Sequence, residues 1–131
     1  MIFEIITRGI DLMSPVIPKD WDERNVIHLE DDSFTVIFKE GNVSLTQESD
    51  SNAETVLKLT NKKLCDYIDG TIDLMWAWRE LAEPSPTDKS ILQKGSGAKM
   101  TTLINLFSEL YESNQEFKKN LDDFKSNLKT E

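Results

Sequence analysis

The sequence predicts an α+β domain of two layers, in which a mainly antiparallel sheet of about five strands is covered on one face by helices. Apolar and polar residues alternate through much of residues 33–46, as in strands with one buried face. From Leu103 to Leu128, apolar residues recur at spacings of three and four, as in amphipathic helices. Because alternating strands need cover on one side only, the helices are expected to form a single layer.

The first third of the chain predicts one helix and three strands. Four apolar residues at spacings of four, four and three indicate a short helix that Pro15 and Pro18 end; they are Ile2, Ile6, Ile10 and Met13. Residues 26–48 then predict three strands joined by two hairpins, with turns at Asp31-Asp32 and at Glu40-Gly41-Asn42.

The middle third predicts two further strands and two short helices. Residues 55–60 and 90–95 are the strand candidates. A helix begins after Thr60 or Asn61 and ends at Gly70. A second helix begins at a Thr71 cap, and Pro84 and Pro86 close it.

The last third carries a heptad-like apolar seam with Asn114 as its one polar member. The seam allows either one helix over about 98–129 or two helices that break near Ser113-Asn114. The whole chain, residues 1–131, is predicted to be one domain, with residues 114–131 as a helical extension.

Composition excludes several classes of function. A formal charge of −9 disfavours nucleic acid as a partner and adsorption to anionic lipid by charge alone. No run approaches the roughly 18 apolar residues of a membrane span, so no integral membrane segment is expected. The first residues lack the basic start of a signal peptide, and the single cysteine excludes an internal disulfide. We therefore expect a cytoplasmic protein.

The residues that could carry chemistry do not form a catalytic constellation in the sequence. His28 is a candidate general base, but a solvent-facing strand histidine is the favoured interpretation. Cys65 lies among apolar residues and is expected to be a buried thiol. Carboxylates are abundant, yet none has the spacing of a metal-binding loop. No enzyme activity, metal or cofactor is predicted.

Residues 94–102, KGSGAKMTT, resemble a phosphate-binding loop only in part, because the glycines are two residues apart and Ala98 precedes Lys99. Free N–H groups at that helix start could donate hydrogen bonds to an anionic head group. The favoured alternative is a tight strand-to-helix turn capped by Ser96.

Residues 71–82 contain five consecutive apolar residues, from Leu74 to Trp78, which exceeds one stripe of a surface helix. One interpretation is a helix sandwiched between the sheet and the terminal helix. The other is that one side lines an apolar cavity, where methionine adapts its shape and tryptophan offers a large surface.

Residues 55–78, TVLKLTNKKLCDYIDGTIDLMWAW, resemble the middle of a sterol-carrier-protein (sterol-binding) domain. The likeness rests on a strand ending in Thr60, a helix with Leu64 and Ile68, Gly70, and a second apolar helix. Residues 34–47 resemble the family's paired strands, and residues 91–107 resemble its last strand, glycine turn and final helix. The resemblance covers roughly residues 26–111.

The resemblance implies an apolar tunnel that binds fatty acyl chains, acyl-CoA, sterols or other lipids without catalysis. The tunnel-lining candidates that it implies are Leu64, Ile68, Leu74, Met75, Trp76, Trp78, Met100, Leu103 and Phe107. The leading functional hypothesis is therefore non-catalytic binding of a lipid or other apolar ligand in an internal hydrophobic cavity. The alternative is a protein-interaction module, such as a homodimer, that assembles through the C-terminal heptad-patterned helix.

Overall fold

The computed structural model describes residues 2–13, 16–30, 32–49, 52–82 and 90–128. These residues form five helices and five strands, which follow one another in the order that the sequence predicts. They are α1 (Ile2–Leu12), β1 (Asp22–His28), β2 (Ser33–Lys39), β3 (Asn42–Thr46), β4 (Thr55–Lys58), α2 (Asn61–Asp69), α3 (Leu74–Leu81), β5 (Leu92–Lys94), α4 (Ala98–Ser113) and α5 (Gln115–Ser126). Pro15, Pro84 and Pro86, which the sequence places at helix ends, and Asp31 of the first predicted turn lie outside the described residues.

The sheet has the strand order β3-β2-β1-β4-β5 and is mostly antiparallel, as predicted. The pair β1 and β4 is parallel, and this is a feature that the strand patterns do not predict. After the edge strand β3, the chain crosses the sheet and pairs with the free side of β1 in the same direction. At Glu48 this segment lies against the face away from the helices, where the Thr35 hydroxyl donates to the Glu48 carbonyl at 2.6 Å.

The core lies between the other face of the sheet and the helical layer. Phe34, Val36 and Phe38 of β2 are buried, as the predicted alternation requires, but Thr35 between them is buried as well. In the ladder, Ile27 of β1 is paired with Phe34 on one side and with Leu57 of β4 on the other. These side chains form one apolar cluster with α1, α2 and α4.

The C-terminal seam folds as two helices, the second of the alternatives that the sequence allows. Asn114 has an extended backbone and caps α5, since its side-chain oxygen accepts from the Phe117 N–H at 2.9 Å. Phe117 and Leu121 are buried, and the Phe117 ring stacks on Phe107 of α4 with 5.9 Å between ring centroids. Phe117 and Leu121 of the seam are therefore covered by the chain itself.

An ion-pair cluster joins the end of α5 to the end of α2. Lys125 Nζ lies 2.5 Å from Asp66 Oδ1 and 2.7 Å from Asp69 Oδ2. Burial alone would raise the pKa of Asp66, but hydrogen bonds from Lys125 and Lys62 outweigh it and hold that pKa below its usual value. Residues 115–126 are thus fastened to the domain at both ends.

Candidate functional site

The inner side of α3 anchors this helix to the rest of the domain. Asp73 caps the helix by accepting from the Met75 N–H at 2.7 Å, so the predicted cap at Thr71 is wrong. A hydrogen bond that the capping side chain accepts from the N–H two residues further along the chain is the usual geometry of an N-cap. Ala77 and Leu81 are fully buried and face the core.

A buried ion pair links α3 to α2. Glu80 is 2% exposed, its carboxylate lies 2.8 Å from Lys63 Nζ, and it accepts a hydrogen bond from the Tyr67 hydroxyl at 3.2 Å. Because a buried carboxylate needs such partners, these contacts hold α3 at one rotation about its axis. That rotation determines which side chains of α3 face the solvent.

We expect Glu80→Ala to lower the free energy of unfolding by about 2 kcal/mol, less than for a fully enclosed pair because Lys63 can turn to water. Chemical denaturation measures the change. The matched control is Glu109→Ala on the exposed side of α4, expected to change stability by less than about 0.5 kcal/mol. Equal stabilities of the two variants would contradict the anchoring role of Glu80.

The outer side of α3 is apolar and exposed. Met75, Trp76 and Trp78 are 68%, 44% and 45% exposed. The interpretation that this helix is sandwiched between the sheet and the terminal helix is therefore wrong. The helix lies at the margin of the helical layer, where α4 and α2 cover its Ala77–Leu81 side only. Large apolar side chains left together at a surface are typical of binding sites.

A groove of about 770 Å³ runs between α3 and the first half of α4. Its α3 wall is formed by Leu74, Met75, Trp78 and Arg79. Its α4 wall combines small and polar side chains, which are Ala98, Thr101, Thr102 and Asn105. The volume falls in the range of pockets that hold small organic molecules. One wall of this groove is mostly apolar and the other is mostly polar.

The structure divides the predicted cavity residues between two places. Leu64, Ile68, Met100, Leu103 and Phe107 are buried in the core. Around most of them the residual space is about 10 Å³, which holds at most one water molecule. The predicted residues of α3 lie instead at the surface, apart from the half-buried Leu74. Among the described residues, these nine side chains therefore do not surround one open cavity.

A second surface pocket, of about 730 Å³, lies at the end of the parallel pair β1 and β4. Its walls include Glu30, Lys58, Thr60 and Lys63. Two of these groups are already engaged, since Glu30 accepts from the Asn61 N–H and Lys63 pairs with Glu80. The α3–α4 groove is the better candidate because its side chains Met75 and Trp78 are exposed and hold no other part of the described chain in place.

The other residues that the sequence singles out form no reactive arrangement in the described part of the chain. His28 Nδ1 lies 2.7 Å from the Ser33 hydroxyl, and no described carboxylate is hydrogen-bonded to the imidazole. Cys65 is buried as predicted, and burial raises the pKa of its thiol to about 12. No group of His, Cys, Asp and Glu among the described residues could hold a metal ion.

Residues 95–98 form the tight strand-to-helix turn that the sequence favours. Gly95 has a φ of +75°, and a Cβ on Gly97 would lie 2.2 Å from the Leu81 carbonyl oxygen. The N-cap of α4 is Gly97 and not the predicted Ser96, although the Ser96 hydroxyl still accepts from the Ala98 N–H at 3.4 Å.

Sequence reasoning missed half of the groove. It identified Leu74, Met75 and Trp78 but not Arg79 or the polar residues of α4. Thr101, Thr102 and Asn105 recur at helical spacing on the side of α4 opposite its buried residues. That spacing indicates a solvent-facing side of the helix, but nothing in the sequence shows that α3 lies beside this side.

None of the described helices is long and apolar enough to span a membrane. The sterol-carrier resemblance stays a prediction, because the comparisons with known proteins neither support nor contradict it. Comparisons of this chain with protein families, with curated proteins and with solved structures found no match.

Proposed function

We propose that this protein binds a lipid or another apolar ligand, without catalysis, in the groove between α3 and α4. The observation that carries the proposal is the exposure of Met75 and Trp78, which line the groove on a helix that the core holds in place. Leaving these side chains in water costs free energy that a bound apolar molecule would recover. The proposal keeps the predicted ligand class and moves the site from the interior to the surface.

Burial of an alkyl chain supplies the driving force. Each methylene that is fully removed from water contributes about 0.8 kcal/mol, or roughly a fourfold gain in affinity. The groove is open on one side, so we expect a smaller gain for each methylene. Affinity should still rise steadily with chain length until the chain outgrows the groove.

Titration of the tryptophan fluorescence with octanol, decanol and dodecanol tests the proposal. Trp78 lines the groove and reports on it, whereas Trp76 lies outside the groove lining and Trp21 packs against Phe38, so both give a background signal. We expect saturable changes whose midpoint falls as the chain lengthens. A flat response to all three alcohols would contradict the proposal.

The variant Met75→Asp/Trp78→Asp should lose binding and stay folded, because both side chains line the groove and are exposed. Its matched control is Leu12→Asp/Val16→Asp, which places the same two charges on other exposed apolar residues. Circular dichroism and chemical denaturation establish that both variants are folded. Wild-type affinity in the folded α3 variant would show that the groove is not the site.

A further inference from the structure

We propose that the groove selects single-chain amphiphiles that carry an anionic head group, and that Arg79 binds the head. This inference rests on the proposed function, since it names the ligand class of the same groove. It makes Arg79 a specificity-determining residue, while Leu74, Met75 and Trp78 supply the apolar surface.

Arg79 lies beside the exposed apolar side chains of α3. Its guanidinium carbon is 5.7 Å from the centroid of the Trp76 ring, which is the distance of a cation–π contact. The same side chain lines the groove together with Met75 and Trp78. A chain lying on the apolar wall would therefore place its polar end within reach of the guanidinium.

The charge of the groove is opposite to that of the protein. The chain has a formal charge of −9, yet Arg79 is the one ionisable residue among the described groove residues. No carboxylate of the described residues forms an ion pair with it. A positive group left beside an apolar wall is complementary to an amphiphile with a negative end.

The chemistry of arginine favours a carboxylate as that negative end. The guanidinium presents parallel N–H donors that match the two oxygens of a carboxylate. A single free molecule is the expected occupant rather than an anionic membrane, because the net charge of the whole protein opposes adsorption to such a surface. A cationic head would meet repulsion from Arg79.

The test compares three amphiphiles with the same alkyl chain, which are dodecanoate, dodecanol and dodecyltrimethylammonium, below their micelle concentrations. At low ionic strength we expect the protein to bind dodecanoate up to about fivefold more tightly than dodecanol, as for an exposed ion pair. It should bind the cation most weakly. Added salt should reduce the preference for dodecanoate, since salt screens exposed charges.

The variant Arg79→Gln should lose the preference for dodecanoate and still bind dodecanol. The matched control, Lys119→Gln on the exposed side of α5, removes the same charge and should keep the preference. Equal affinities for dodecanoate and dodecanol in the wild-type protein would overturn the inference and leave the proposed function standing. An Arg79→Gln protein that keeps the preference would likewise overturn the inference and leave the proposed function standing. A wild-type protein that binds none of the three amphiphiles would overturn both the inference and the proposed function.

Discussion

Phe117→Ala is expected to lower the free energy of unfolding by about 4 kcal/mol. Phe117 is 1% exposed and stacks on Phe107, so truncation removes a whole ring from the packed core. The ring also lies where α1 comes closest, because a Cβ on Gly9 would meet Phe117 Cε1 at 2.7 Å. A cavity at this point would weaken the contacts of α5 with both α1 and α4.

Phe124→Ala is the matched control, because Phe124 lies on the same helix and is only half-buried. We expect its truncation to cost less than half as much, since water already reaches part of the ring. Chemical denaturation of both variants measures the difference. Equal and small losses of stability in the two variants would contradict the assignment of α5 to the core. They would favour an α5 that is free to bind a partner.

Gly97→Ala is expected to lower the free energy of unfolding by about 3 kcal/mol. The backbone of Gly97 has an ordinary φ of −86°, so the cost does not come from conformation. It comes from the Leu81 carbonyl, whose oxygen accepts from the Gly97 N–H at 3.0 Å and would lie 2.2 Å from an added Cβ. The Leu81 carbonyl is part of the backbone and cannot turn aside as a flexible side chain can. The end of α3 must therefore move away from the start of α4.

Gly70→Ala provides the comparison, since Gly70 has a φ of +86° and an added Cβ would meet no atom within 4 Å. We expect it to cost about 1 kcal/mol, from the left-handed backbone alone. Gly97→Ala should also weaken the binding of dodecanol, because its clash lies where α3 and α4 meet beside the groove. A Gly97→Ala protein as stable as Gly70→Ala would contradict the close approach of the two helices.

Most of the secondary structure could be predicted from the sequence, because local patterns determine it. The alternation around Phe34, Val36 and Phe38 depends only on which side chains must leave water. The cap of α2 and the left-handed end at Gly70 are likewise local: the structure confirms Gly70 and selects Thr60 from the two predicted caps. Such features need no knowledge of the rest of the chain.

The pairing of distant elements could not be predicted in the same way. The parallel pair β1 and β4 depends on the path of the chain between Thr46 and Thr55. The pattern of apolar residues in β4 is the same for either direction of pairing, so it leaves the direction open. The sequence allowed either one long helix or two helices that break near Asn114, because the spacing of the apolar residues continues through the break.

The candidate site shows the same limit. The sequence identified the surplus apolar residues of α3, but it could not show which side of the helix the domain covers. That depends on Glu80 and Lys63, which lie 17 residues apart and whose pairing no periodicity indicates. The groove likewise requires α4 to lie beside α3, which is a tertiary contact.

Methyl NMR of the methionines is the measurement that tests the surface groove most directly. Met75 is exposed in the groove, whereas Met100 is buried beside the small residual space of the core. Met75→Leu and Met100→Leu assign the two signals among those of the four methionines. On titration with decanol, we predict that the Met75 methyl signal shifts saturably and that the Met100 signal stays in place. A shift of Met100 without a shift of Met75 would contradict the groove and show that the ligand enters the core.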